Sequence, residues 1–300
     1  MKIIVGSRGS KLALTQTNWV ISKLKEDHPE IDFQLKIIKT KGDRIQNVSL
    51  DKIGDKGLFV KEIEEALLNG DIHMAIHSMK DMPSILPEGL KFSYIPKRED
   101  FRDVIVLREG FNSLEELPKN AKIGSGSKRR KYQLLKYRED LDVVPIRGNV
   151  DTRIKKIETE NLHGVILAAA GINRLDIEKE LKYKVVPISI EIMLPAPAQG
   201  ALAIEIRKDR DDIENILECL SHKETEIAVS AERAFLHGIN GSCHIPVGAI
   251  GEIHGEELKL TGLFGDEDGN KIVKKSLIGS IESAKELGYE LAKIVLKEMA

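Results

Sequence analysis

A cysteine, a lysine-aspartate pair and a scatter of arginines are the residues of this 300-residue chain best suited to chemistry. Cys243 lies in Gly238-Ile239-Asn240-Gly241-Ser242-Cys243-His244-Ile245-Pro246-Val247-Gly248. Ile227, Ala231, Ala234 and Phe235 ahead of it have the spacing of one buried helix face, and the apolar run behind it reads as a strand. Gly238 is placed to end the helix as a left-handed cap, while Gly241 and Pro246 favour turns. The thiol is then presented on a loop, as a covalent tether or a nucleophile requires. The alternative is a small buried side chain, since free cysteine is among the most buried residue types.

His77-Ser78-Met79-Lys80-Asp81-Met82-Pro83 sets a cation beside a carboxylate where an apolar strand around Ile72 to Ile76 ends. Ligands of open α/β sheets bind at such carboxyl ends, whereas a solvated surface pair would mean little. Arg8 follows the strand Lys2 to Gly6. Ser125-Gly126-Ser127-Lys128-Arg129-Arg130-Lys131 opens a helix and reads either as an anion cradle or as a solvated basic helix face. Arg147 closes a strand, Arg153 sits on the helix after Gly148-Asn149, and Arg174 follows the strand Val165 to Ala168. Guanidinium groups grip carboxylates and phosphates bidentately, so their recurrence at strand ends points to an extended polyanion between two lobes. His73 and His77 could share a strand face, but no third metal ligand has suitable spacing, and no metal is expected.

The elements that position these residues alternate. Lys2 to Gly6 is a strand, and Ser10 caps a helix whose stripe is Ala13, Val20, Ile21 and Leu24. Phe33, Leu35 and Ile37 alternate as in a half-buried strand, and a polar segment from Thr40 to Gly57 has the composition of a mobile flap. Phe59, Ile63, Ala66 and Leu67 share a helix face that stops at Gly70, completing βαβαβ. The pattern restarts after Pro96 to Phe101 with a strand from Asp103 to Leu107. Pro195-Ala196-Pro197-Ala198-Gln199-Gly200 is a second crossing, leading to the strand Ala201 to Ile206. Two crossings suit a hinged two-lobed α/β protein with a discontinuous first domain. From about His222 a helix, the cysteine loop, three β-rich runs and a last helix give a small α+β unit, with Asp266-Glu267-Asp268-Gly269 as a hairpin turn. The expected domains are 1–98 with 200–217, then 102–194, then 222–300. Cys219 reads as a helix-face residue.

Composition agrees with a globular chain: 41% hydrophobic residues and a formal net charge of -2. The charge balance excludes a general nucleic-acid coat, so any anion site is local. No apolar run reaches the length of a membrane span, and the N-terminal run is too short for a signal peptide. Two cysteines fit no disulfide framework. A cytoplasmic chain with reduced thiols is expected, without nucleic-acid or membrane partners, and a monomer.

Several words of the sequence, in one order, resemble the porphobilinogen deaminase family over essentially the whole chain. They are Gly-Ser-Arg-Gly-Ser-Lys-Leu-Ala-Leu at 6–14, Lys-Gly-Leu-Phe-Val-Lys-Glu at 56–62, His-Ser-Met-Lys-Asp-Met-Pro at 77–83 and Arg-Gly-Asn-Val at 147–150. Pro-Ala-Pro-Ala-Gln-Gly at 195–200, Ala-Glu-Arg-Ala-Phe at 231–235 and Gly-Ser-Cys-His-Ile-Pro-Val-Gly at 241–248 continue them. The resemblance implies two hinged periplasmic-binding-protein-like α/β lobes plus a smaller C-terminal α+β domain. It also implies a dipyrromethane cofactor held as a thioether by Cys243, and a transferase that condenses four porphobilinogen molecules head to tail with loss of ammonia, yielding the linear tetrapyrrole hydroxymethylbilane.

Carried over position by position, the catalytic residue is Asp81. The cofactor is held by Lys80, Asp81, Ser127, Arg129, Arg130 and Arg147, the substrate by Arg8, Ser10, Arg153, Arg174 and Gln199, and a flap spans Asp43 to Gly57. Gly126 departs from the family pattern, standing where a hydroxylated residue is usual, and so do Ala198 and Asp55, standing where glycine is common. Two other classes stay in view: a two-lobed anion-binding protein without chemistry, which would not need Cys243 or Asp81, and a thiol-nucleophile hydrolase, for which no histidine with an orienting partner can be placed.

Overall fold

The computed structural model describes residues 1–44, 60–240 and 245–300. Cys243 therefore lies outside the described residues, as does the expected flap from residue 45 onward. In chain order the elements are β1 (Lys2–Ser7), α1 (Lys11–Asp27), β2 (Asp32–Ile37), α2 (Lys41–Arg44), α3 (Lys61–Leu68), β3 (Met74–Ser78), β4 (Leu90–Phe92), β5 (Asp103–Leu107) and β6 (Lys122–Gly124). Then follow α4 (Lys128–Tyr137), β7 (Asp142–Val144), α5 (Val150–Thr159), β8 (Gly164–Ala168), α6 (Ala169–Leu175), β9 (Lys184–Pro187), β10 (Leu202–Arg207) and α7 (Asp211–Leu217). The chain closes with α8 (Lys223–Gly238), β11 (Val247–His254), β12 (Glu257–Gly265), β13 (Ile272–Ser280) and α9 (Ala284–Met299).

Two compact units divide the chain: Met1–Arg98 with Ala201–Glu226, and Glu99–Gly200 with Ile227–Ala300. The first holds a sheet in the order β2-β1-β3-β10-β4, the second a sheet in the order β7-β6-β8-β5-β9 together with the meander β11-β12-β13. The two five-stranded sheets repeat one plan. β2, β1 and β3 are parallel and β10 runs against β3 and β4; β7, β6 and β8 are parallel and β5 runs against β8 and β9. In each sheet the antiparallel strand is the first after a passage between units, so the chain enters each sheet beside the carboxyl end of a parallel strand.

These strands read as unbroken apolar runs because they are covered on both faces. Along β5, Ile105 and Leu107 join a core with Ile123 and Leu134, while Val104 and Val106 join another with Ile154, Ile157 and Leu167. In the first sheet Ile3, Val5, Met74 and Ile76 pack with Val20 and Leu24 of α1, and Ala75 packs on the other face with Ile63 and Leu67 of α3. Full burial of each large aliphatic side chain contributes about 1.5–3 kcal/mol. In β2, by contrast, Leu35 and Ile37 are 37% and 53% exposed and only Phe33 reaches the core. The expected alternation is spoiled because β2 is an edge strand.

The meander packs against α8 and α9 through Phe235, Leu258, Leu260, Leu291 and Val295. The 266–269 turn is as expected, with the Asp266 carboxylate accepting from the Asn270 and Lys271 amides and Gly269 at φ 76. Gly238 corrects the expectation of a cap. Helix α8 runs through it, the left-handed residue is Asn240 at φ 50, and a Cβ on Gly238 would sit 2.6 Å from that of Ala292. Its glycine serves helix packing. Cys219 lies in a short 3-10 turn, Glu218–Leu220, rather than on a helix face.

Candidate active site

In the first unit, parallel pairing of β1 with β3 puts their carboxyl ends on one sheet edge. Arg8 and Ser10 follow β1, and a 3-10 turn, Met79–Asp81, follows β3. Ser10 caps α1, accepting from the Ala13 amide at 3.3 Å as its residue type predicts. Behind them is a small polar layer: Thr17 Oγ1 donates to Ser7 Oγ at 2.8 Å, and Gln16 Nε2 to Ser78 Oγ at 3.0 Å. The turn is fixed by two backbone bonds, the Met79 amide to Ala201 O and the Met82 amide to Met79 O. Met79 is buried while Lys80 is half-buried and Asp81 exposed, so the turn anchors by its apolar residue and presents its charged pair.

His77, weighed above as a metal ligand, instead meets buried carboxylates that the sequence did not single out, Glu205 and Glu64. His77 Nε2 lies 3.1 Å from Glu205 Oε2, both side chains being almost fully buried. Glu64 of α3 is buried too, and burial first, then the Glu205 and Glu65 charges, push its carboxyl up to about 7. The only signal in the sequence is an acidic residue inside an otherwise apolar strand. His73 Nδ1 accepts from the Ile4 amide, and among the described residues no cluster could hold a metal ion.

In the second unit the carboxyl ends of β6, β7 and β8 gather the remaining candidates. Ser127 caps α4, accepting from the Arg130 amide at 3.5 Å. Arg129 Nη1 donates to Asp103 Oδ2 at 2.6 Å and to Leu194 O at 2.7 Å. Arg130 grips Asp103 Oδ1 with Nε and Nη2, at 3.0 and 2.8 Å, and donates to Ile166 O. Gln199 Nε2 adds bonds to Asp103 Oδ1 and Phe101 O. Burial alone would raise the Asp103 carboxyl, but the Arg129 and Arg130 charges, with bonds from Arg129 and Gln199, outweigh it and hold it well below the usual carboxylate range. Asp103 organises the cation pair from within the protein, and spacing gave no reason to single it out; its one trace is an acidic residue heading a buried strand.

Arg147, Arg153 and Arg174 are half-buried around the same edge. Arg153 Nε donates to Gly148 O at 2.7 Å and Arg174 Nη2 to Gly200 O at 2.7 Å. Burial lowers Arg174 to about 10, against the raising effect of Glu99. Gly126 is crowded: a Cβ there would lie 2.6 Å from Ile146 O, so its bareness lets the segment leading to Arg147 approach.

The fold is that of an α/β protein with two five-stranded sheets of one plan, each with cationic side chains beyond the carboxyl ends of its parallel strands. The chain belongs to the porphobilinogen deaminase family: the model described as porphobilinogen deaminase, dipyromethane cofactor binding domain, matches residues 3–215, and the porphobilinogen deaminase C-terminal domain matches 226–297. It is 66% identical to the porphobilinogen deaminase of Clostridium novyi over 100% of both chains. With that of Clostridioides difficile it shares 60% over 99% of this chain and 98% of the relative, and with that of Listeria welshimeri 50% over 100% and 96%. Among solved structures, an amino-acid transporter binding protein of Bacillus subtilis aligns with TM-score 0.44 and 12% identity over 73% of this chain and 90% of its own. The BenM effector binding domain with benzoate aligns with TM-score 0.43 and 14% identity over the same shares. No described helix is long and apolar enough to cross a membrane.

A dipyrromethane group carrying carboxylate arms asks for forked cationic donors with heads partly withdrawn from water. Arg147, Arg153 and Arg174 in the second unit and Arg8 in the first are half-buried guanidiniums whose chemistry fits such arms, and Lys80 of the first unit adds a half-buried ammonium.

Proposed function

We propose that the chain is a cytoplasmic, monomeric transferase of tetrapyrrole synthesis. It joins four porphobilinogen molecules head to tail into hydroxymethylbilane, releasing ammonia. The observation that carries this reading is the gathering of cations beyond separate strand ends at the carboxyl edge of each five-stranded sheet, in a chain matched by the family's models over nearly its whole length. Its three separate sheets support a division into domains 1–98 with 200–217, 102–194 and 222–300.

Each substrate carries carboxylates that lose water on binding and need cations in exchange. Arg8, Ser10, Arg153, Arg174 and Gln199 take the substrate side; Lys80, Asp81, Ser127, Arg129, Arg130 and Arg147 hold dipyrromethane, and Cys243 forms its thioether. Dipyrromethane supplies the nucleophilic pyrrole carbon to which the first substrate is joined. In each round the aminomethyl C–N bond of porphobilinogen breaks, ammonia leaves, one C–C bond forms and one ring proton departs; water releases the finished tetrapyrrole. Asp81, exposed beyond β3, stabilises the positive charge left on the substrate and takes the ring proton. Lys80 beside it neutralises a ligand carboxylate.

Of the two cysteines, Cys219 is the poorer tether, because burial and the neighbouring Asp27 push its thiol up to about 11 and leave little thiolate. The intact mass of active protein should exceed the sequence mass by two pyrrole units, and Cys243→Ser should remove the excess. Active protein of unmodified mass, or a modification mapped to Cys219, overturns the reading. A protein that binds porphobilinogen without releasing ammonia would instead be an anion-binding module.

A further inference from the structure

Glu232 on α8 is fully buried and is not among the groups assigned above. Its Oε2 accepts from the Ala198 amide at 2.5 Å and its Oε1 from the Gly251 amide of β11 at 2.9 Å. Ala198 is held at φ 59, a left-handed conformation that Cβ disfavours, while being 1% exposed. The next residue, Gln199, donates its side-chain amide to Asp103 and Phe101. Strand β11 also lies on the crossing directly, with the Ala249 amide donating to Pro195 O at 3.0 Å and a Cβ on Gly248 falling 3.1 Å from the same oxygen. A continuous polar chain thus runs from Gly251 through Glu232, Ala198 and Gln199 to Asp103, and on to Arg129 and Arg130.

We propose that Glu232 is a positioning residue for the transfer reaction: it ties α8 and β11, the elements on either side of the Cys243 segment, to the 195–200 crossing, and through Gln199 and Asp103 it sets the Arg129–Arg130 pair. This rests on the reading above that those arginines take ligand carboxylates. A carboxylate suits the place because both of its oxygens face N–H donors. Glutamine would turn an NH2 group against one of them and leave a buried donor unsatisfied. With that bond gone, Ala198 loses what holds it left-handed and the Gln199 side chain moves off Asp103.

The test uses the full-length protein and the variants Glu232→Gln, Ala198→Gly and the two combined. Amide hydrogen exchange by mass spectrometry should rise in Glu232→Gln in peptides covering 195–201 and 128–134, with β1 and β3 unchanged. KM for porphobilinogen should rise about tenfold with kcat changed less. Glycine adopts the left-handed conformation without penalty, so the double variant should recover most of both losses, while Ala198→Gly alone leaves them near wild type. Faster exchange throughout α8, β11 and α9 with unaltered KM, or a double variant no better than Glu232→Gln, would make Glu232 a stabilising residue only and overturn the proposal. If wild type does not turn over porphobilinogen, the functional reading fails, but the exchange pattern and its rescue still decide whether Glu232 sets the crossing.

Discussion

Asp103 and Arg129 form a buried ion pair, Oδ2 to Nη1 at 2.6 Å, with side chains 0% and 5% exposed. Arg130 completes it from the other carboxylate oxygen at 2.8 Å, so one carboxylate holds two adjacent guanidiniums of the same helix start. Breaking such a group from one side costs more than the group contributes as a whole, because the remaining charges stay buried without compensation.

Asp103→Asn should therefore destabilise by about 3–5 kcal/mol. The cost is present across neutral pH. Because the folded carboxyl lies below its ordinary value, its stabilisation is complete above the unfolded value near 4 and disappears only as the pH falls through the lower folded one. Urea unfolding at pH 7 measures it. A loss under about 1 kcal/mol, the size of a surface ion pair, would show that the arginines do not depend on Asp103.

Glu64 has the opposite linkage. Burial and the nearby Glu205 and Glu65 raise it from 4.5 to about 7, so the folded chain keeps a proton that the unfolded chain has released. Stability should fall as the pH rises from 4.5 to 7, by on the order of 3 kcal/mol. Glu64→Gln mimics the neutral form and should flatten that fall. Urea midpoints at pH 5 and pH 8 that drop equally in both proteins would assign the dependence to another group.

Asp81 is exposed, so Asp81→Asn should leave the melting temperature within the small range of surface substitutions. Turnover should fall by a factor on the order of 10² or more if the carboxylate handles the ring proton. Initial-rate ammonia release and thermal melts on the same sample give both numbers. Near-normal turnover would remove Asp81 from the chemistry.

Gly126→Ala should cost about 1–3 kcal/mol, since its Cβ would meet a backbone oxygen, Ile146 O, at 2.6 Å, and a backbone yields less readily than a side-chain end. The segment leading to Arg147 should move, and with it Arg153, whose Nη2 lies 4.0 Å from that Cβ and which is assigned to the substrate, weakening porphobilinogen binding. Unchanged melting temperature and KM would mean that the loop shifts freely.

What the sequence determined by itself was local. Ser10 is recognisable as a helix cap because a cap is made with amides two or three residues away. The 266–269 turn is recognisable because Asp266 bonds within five residues, and β5, β8 and β10 because a strand covered on both faces is mainly apolar, here apart from Asp103, Glu205 and the terminal Arg207. The order of motif words was enough to indicate the family, but not what each side chain touches. Asp103 meets Arg129 across 26 positions, Glu232 meets Ala198 across 34, and His77 meets Glu205 across 128. Sheet order decides the first and last of these, through the antiparallel strands β5 and β10, and the packing of α8 against the 195–200 crossing decides the second. The same holds for Gly238, read as a cap until α9 is packed against it, and for β2, whose alternation could not reveal that it is an edge. Periodicity and capping depend on neighbours within one or two turns of chain. Which buried charges pair depends on register and packing that exist only once the whole sheet has formed.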